Sequence, residues 1–135
     1  MGAYSTKPLA QKLGIASGMK MLFLNESDTF RNTLGSMVNE VHVAQSMMKG
    51  ETYDYIHLFV HTSAELKKQA EMCLEHLVNR GMLWVSWPKQ SANVPTDLTE
   101  QTLRDVLLPQ GVDDIKACAI DTVWGGLKFV WRRTA

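Results

Sequence analysis

Six side chains able to touch a ligand stand where predicted strands run out. Asn25, Glu26 and Ser27 follow the first strand, His61 the third, and Trp87 and Lys89 the fourth. In an open α/β sheet, ligands lie in the crevice beyond the carboxyl ends of the strands, so these six form the candidate site. Lys89 has the most chemistry to offer. It supplies a cation for a small anionic ligand, or a base if burial lowers its pKa. Its plainer reading is a solvated loop lysine, or a partner for Asp97 or Glu26. His61 is placed for acid–base work but has no partner visible in sequence. His57 and His61 face one side of a strand about 13 Å apart, at roughly 3.3 Å per residue, too far to share one metal ion. His57 reads as a hydrogen-bonded histidine under a helix, and His76 as a surface residue. Ser86 lacks the G-x-S-x-G elbow of a nucleophile, and no CxxC-type spacing marks a metal site. Cys73 and Cys118 read as buried structural thiols. Of the tryptophans, Trp84 is expected in the core, with Trp87 and Trp124 divided between packing and a binding face.

The positioning elements are organised around Tyr53–Lys89, read as strand, helix, strand. Both strands are nearly continuous apolar runs, which suits burial on both faces of a parallel sheet. The helix is predicted from a Thr62–Glu65 capping box to Gly81, with Leu66, Ala70, Cys73, Leu74, Leu77 and Val78 on one face. Upstream, a short helix is expected between Thr6 as cap, with Pro8 in its first turn, and Gly14. A strand Met19–Leu24 follows, then a short helix capped by Ser27 or Asp28 and closed by Gly35, then a strand Met37–Ala44. Downstream, Asp97 caps a helix that carries Leu103, Val106 and Leu107. The chain ends in two antiparallel strands, Ile115–Val123 and Leu127–Trp131, joined near Gly125-Gly126.

The chain has 135 residues, 45% apolar and 21% charged, with 14 basic and 14 acidic side chains. That suits one α/β domain over residues 1–135 and disfavours a nucleic-acid binder. No apolar run is long enough to span a bilayer and the first residues lack a signal-peptide core, so a cytoplasmic protein away from membranes is expected.

The phrases KPLAQKLGI, YDYIHLFV, GMLWVSWPK and VPTDLTEQTLRDVLLPQGVDDIKACAIDTVWGGLKFV resemble the uncharacterised bacterial family labelled DUF3052. The arrangement of elements resembles a shortened class I S-adenosylmethionine-dependent methyltransferase. That resemblance implies a three-layer, Rossmann-like mixed sheet of about six strands, ordered 2-1-3-4-6-5, with the last strand antiparallel. It also implies a glycine-rich turn after the first strand and an acidic residue ending the second. The chain instead has Asn25-Glu26-Ser27-Asp28-Thr29 and Ala44-Gln45 at those places. A loop bearing side chains cannot approach a nucleotide as closely as glycine allows.

No cofactor is therefore expected, S-adenosylmethionine included. The leading reading is a binding domain for a small anionic molecule or a protein, without catalysis. Its rivals are a small-molecule enzyme using Lys89, with transferase-like chemistry, and a methyltransferase with an atypical cofactor loop. A further expectation is a homo-oligomer formed through the terminal hairpin with Trp124 and Trp131.

Overall fold

A computed structural model describes residues 7–44 and 46–133. The strands are β1 (Lys20–Leu24), β2 (His42–Ala44), β3 (Tyr53–Phe59), β4 (Leu77–Pro88), β5 (Val112–Ala119) and β6 (Trp124–Trp131). They form one sheet in the order β2-β1-β3-β4-β6-β5. β1 to β4 pair in parallel, while β6 runs antiparallel to both β4 and β5. This is the order that the methyltransferase resemblance implied.

Helices cover both faces. On one, α3 (Ser63–Glu75) and α4 (Glu100–Leu107) bury Leu66, Ala70, Leu74, Leu103 and Leu107 against Ile56, Leu58, Leu83 and Phe129. On the other, α1 (Leu9–Leu13) and α2 (Phe30–Leu34) cover Met21, Phe23, Tyr55, Phe59 and Trp84. The Thr62–Glu65 capping box is present in both halves. Gly14 ends α1 in the left-handed conformation, at φ 85°; the expected Thr6 cap lies outside the described residues.

Several boundaries differ from expectation. α3 stops at Glu75, and Gly81 lies inside β4 rather than ending a helix. Leu77 suits a buried helix face and a buried strand equally, and the ladder to Tyr53 claims it. The surplus chain becomes a large bulge: Tyr53 faces Leu77 and Tyr55 faces Met82, so Val78–Gly81 stand opposite Asp54 alone. Gly81 is needed there, because a Cβ would lie 2.7 Å from Leu77 Cδ1 and 3.0 Å from the Val78 oxygen.

The expected strand Met37–Ala44 is a 3-10 turn, Gly35–Glu40, followed by only three strand residues. Thr29, not Ser27 or Asp28, precedes α2, and no side chain caps it. The terminal hairpin turns at 120–123, where the Asp121 carboxylate accepts from the Val123 and Trp124 amides, both at 2.8 Å. Gly125 and Gly126 belong to β6, and β5 starts earlier than expected, at Val112. Cys73 is buried as expected, whereas Cys118 is half-buried on the outermost strand. No helix among the described residues is long and apolar enough to cross a membrane.

Candidate functional site

The crevice between β1 and β3 is where strand order reverses, and there a nucleotide would be sought. Asn25 follows β1 in the left-handed region, φ 57°, a conformation asparagine tolerates. Its amide donates to the Phe59 carbonyl at 3.4 Å and to Gln69 Oε1 at 3.3 Å, so one side chain bridges β1, β3 and α3 across the crevice. Glu26 is committed to Arg31, at 2.8 to 3.1 Å. The Ser27 hydroxyl is buried without a partner among the described residues. Residues 25–29 contain no glycine, and no acidic residue stands in β2. A nucleotide cofactor is usually met here by bare backbone and by a carboxylate ending the second strand; residues 25–29 and β2 supply neither, so they do not fit the usual S-adenosylmethionine cradle.

The other end of the rim is open. A hollow of about 620 Å³ lies beyond the N-terminus of α4, on the α3–α4 face of the sheet. Its floor follows the ladder register: Trp87 pairs with Gly125, and Gly125 with Ala119. Ala117 continues the floor one step further in. Side chains point to alternate faces of a strand, so this row presents one indole beside nearly bare backbone. Lys89, Thr96, Asp97, Thr99 and Glu100 supply the polar wall.

Of the polar wall's charges, the carboxylates are occupied and the ammonium has no ion pair among the described residues. Glu100 is paired with Arg104 at 2.9 Å. Asp97, expected to cap its own helix, instead caps α3. It accepts from the Ser63 amide at 2.8 Å and the Ser63 hydroxyl at 2.9 Å, while Thr99 caps α4. Those two bonds hold the Asp97 carboxyl below the usual carboxylate range, the backbone amide first. Thr96 adds a 2.6 Å bond to the His61 carbonyl, so the loop entering α4 is fastened at two points to the start of α3. Lys89 has no ion pair among the described residues; neither Asp97 nor Glu26 is its partner.

Replacing Asp97 with alanine is expected to lower the melting temperature by a few degrees near neutral pH. The sign with pH follows from the lowered carboxyl: the stabilisation is present above the unfolded pKa and vanishes as pH falls through the folded one. Thermal melts of wild type and variant should therefore converge in acid, and parallel curves would refute the cap.

The six expected site residues are thus divided. Trp87 and Lys89 line the hollow; Asn25, Glu26, Ser27 and His61 do not. His61 packs its ring on Trp124 at 5.1 Å, toward the α1–α2 face. His57 is buried and hydrogen-bonded, as expected: Nδ1 meets the Tyr55 hydroxyl at 2.8 Å and Nε2 the Ser86 hydroxyl at 2.7 Å. Burial lowers its pKa to about 3, so the ring is neutral, donating through one nitrogen and accepting through the other. With no exposure, the chain Tyr55–His57–Ser86 is a core network and not a nucleophilic triad. The residues missed from sequence are Thr96, Thr99, Ala117, Ala119 and Gly125. Gly125 beside Trp124 carried a usable signal, since glycine inside a strand often marks close approach of a ligand or backbone.

No protein-family model and no curated protein matches the chain. Solved structures do match it. An S-adenosylmethionine-dependent methyltransferase from Aquifex aeolicus aligns with a TM-score of 0.61 and 15% identity, over 90% of this chain and 86% of that one. The magnesium protoporphyrin IX methyltransferase of Synechocystis PCC 6803, with bound SAH, gives 0.60 and 12%, over 86% and 75%. A ribosomal protein L11 methylase from Lactobacillus delbrueckii subsp. bulgaricus gives 0.58 and 9%, over 93% and 78%. At such identities the likeness is one of architecture: strand order, antiparallel β6 and neighbours together show the Rossmann-like fold of S-adenosylmethionine-dependent methyltransferases.

Proposed function

We propose that this chain is a small-molecule-binding domain on a methyltransferase-like fold, without catalytic activity, and that its ligand is a flat organic anion held beside Lys89. One observation carries the reading: an open hollow of about 620 Å³ whose Lys89 ammonium lacks an anionic partner among the described residues, set over the row Trp87–Gly125–Ala119. An indole beside bare backbone favours a planar body, and a lysine at the rim favours a carboxylate or similar group on it. The chemistry stops at binding, because among the described residues neither Lys89 nor Cys118, which also lines the hollow, has a base beside it to activate it. The four quoted phrases support grouping the chain with the bacterial DUF3052 proteins. Two unpaired thiols suit a cytoplasmic location.

Thermal melts against a panel of aromatic carboxylates test this reading. At least one should raise the wild-type melting temperature, and Lys89→Met should keep the fold yet lose the shift. A panel that leaves the wild type unmoved, or a shift that survives in Lys89→Met, would count against it.

A second reading, a methyltransferase with an atypical cofactor loop, is favoured by the buried, unpartnered Ser27 hydroxyl in the loop after β1. Titration with S-adenosylmethionine in a calorimeter separates the two. We expect no heat of binding; micromolar affinity abolished by Asn25→Leu would favour the second.

A further inference from the structure

A second hollow, of about 550 Å³, lies at the opposite end of the same strands, where β4 begins and β6 ends. Asn79, Arg80, Ile115, Trp131, Arg132 and Arg133 are among the residues lining it. Three independent features make it a site. The first is charge: three arginines line it in a chain whose net formal charge is zero, and among the described residues the carboxylate paired with them is Asp113. Arg80 and Arg133 have no ion pair among the described residues.

The second is preorganisation. Arg132 is held by Asp113 Oδ1 at 2.9 and 3.0 Å and by the Leu108 and Val112 carbonyls at 3.2 and 3.1 Å. All these bonds use Nε and Nη2, and among the described residues none uses Nη1. The third is the β4 bulge. Residues 78–81 stand opposite Asp54 alone, and this surplus chain carries Asn79 and Arg80 to the mouth of the hollow. Bulges that interrupt a ladder often serve to re-aim a side chain.

Guanidinium forks match the oxygens of a phosphate better than an ammonium does. The remaining lining is apolar: Trp131 is half-buried and Ile115 is 56% exposed at an irregularity in β5. We propose that this hollow binds a phosphate monoester carried on an apolar body, with Arg80, Arg132 and Arg133 on the phosphate and Trp131 and Ile115 on the body. Such a group belongs either to a free phosphorylated small molecule or to a phospholipid headgroup.

Phenyl phosphate and vesicles containing phosphatidic acid serve as probes, at constant ionic strength set with KCl. Phenyl phosphate should raise the melting temperature of the wild type. The double variant Arg80→Ala/Arg133→Ala should bind it about tenfold more weakly or worse. Lys89→Met should bind it unchanged, which keeps this test separate from that of the hollow beside Trp87. Arginine-dependent retention on the vesicles without a response to phenyl phosphate would assign the headgroup as the ligand. Failure of both probes would overturn the proposal. So would a shift of equal size in the double-arginine variant, or one lost in Lys89→Met.

Discussion

Between pH 7 and pH 4 the protein is expected to lose about 3 kcal/mol of folding stability through His57 alone. The imidazole is fully buried, and desolvation lowers its pKa from 6.5 to about 3. Below pH 6.5 the unfolded chain takes up a proton there that the folded chain refuses. The contribution is therefore complete above the unfolded pKa and drains away as pH falls toward the folded one. Against a typical total of about 5 to 15 kcal/mol, such a loss is a large share.

The geometry explains why the ring stays neutral. Phe30 meets it edge-on at 4.7 Å, and Phe59 stacks on it at 4.5 Å. Its two polar neighbours are hydroxyls, not carboxylates, so nothing nearby stabilises an imidazolium. Truncating His57 to alanine would strand the Tyr55 and Ser86 hydroxyls in the core, at about 1 to 3 kcal/mol each, besides leaving a cavity. Replacing the whole network is gentler. In Tyr55→Phe/His57→Phe/Ser86→Ala, the two lost oxygens make room for the larger ring, and no donor is left unpaired. Urea unfolding at pH 7, 5.5 and 4.5 checks the account. Wild type should weaken steeply over that range and the triple variant only slightly; equal slopes would show that His57 is not the titrating group.

The same contrast between local pattern and tertiary context governs what the sequence made readable. The mixed sheet follows from properties that lie along the chain: two continuous apolar runs flanking a capped helix, then two runs too close together for a crossover; the strand order was implied only by the methyltransferase resemblance. The capping box survives because Thr62 and Glu65 need only each other. Leu77 and Val78 misled because an apolar pair after a helix fits one more turn as well as a strand, and only Tyr53 decides. The candidate hollow was legible only in part for the same reason, two of the six expected residues lining it. Trp87 and Lys89 announce themselves by type. The floor is made by side chains that are not there, at Ala117, Ala119 and Gly125, and it exists only once the ladder sets Gly125 between Trp87 and Ala119. Asp97 looked like a cap and is one, but for a helix more than thirty residues upstream.

Trp84 and Trp87, three positions apart on β4, face opposite sides of the sheet, and their replacement should separate stability from binding. Trp84 is fully buried on the α1–α2 face, and its indole N–H donates to the Leu13 carbonyl at 2.9 Å. That bond fastens α1 to the sheet. Trp84→Ala should cost about 3 to 5 kcal/mol in lost packing, with a further penalty for the unpaired Leu13 carbonyl. Trp84→Phe keeps most of the volume while removing the N–H. It is expected to fold with about 1 to 3 kcal/mol lost, and with amide exchange accelerated first at Lys12 and Gly14 in and just after α1. Trp87 is only partly buried and makes one wall of the hollow. Trp87→Ala should therefore cost much less stability than Trp84→Ala, yet remove the carboxylate-induced shift as completely as Lys89→Met does. If instead the two alanine variants unfold at the same denaturant concentration, Trp87 is a core residue and the wall assigned to it is packing.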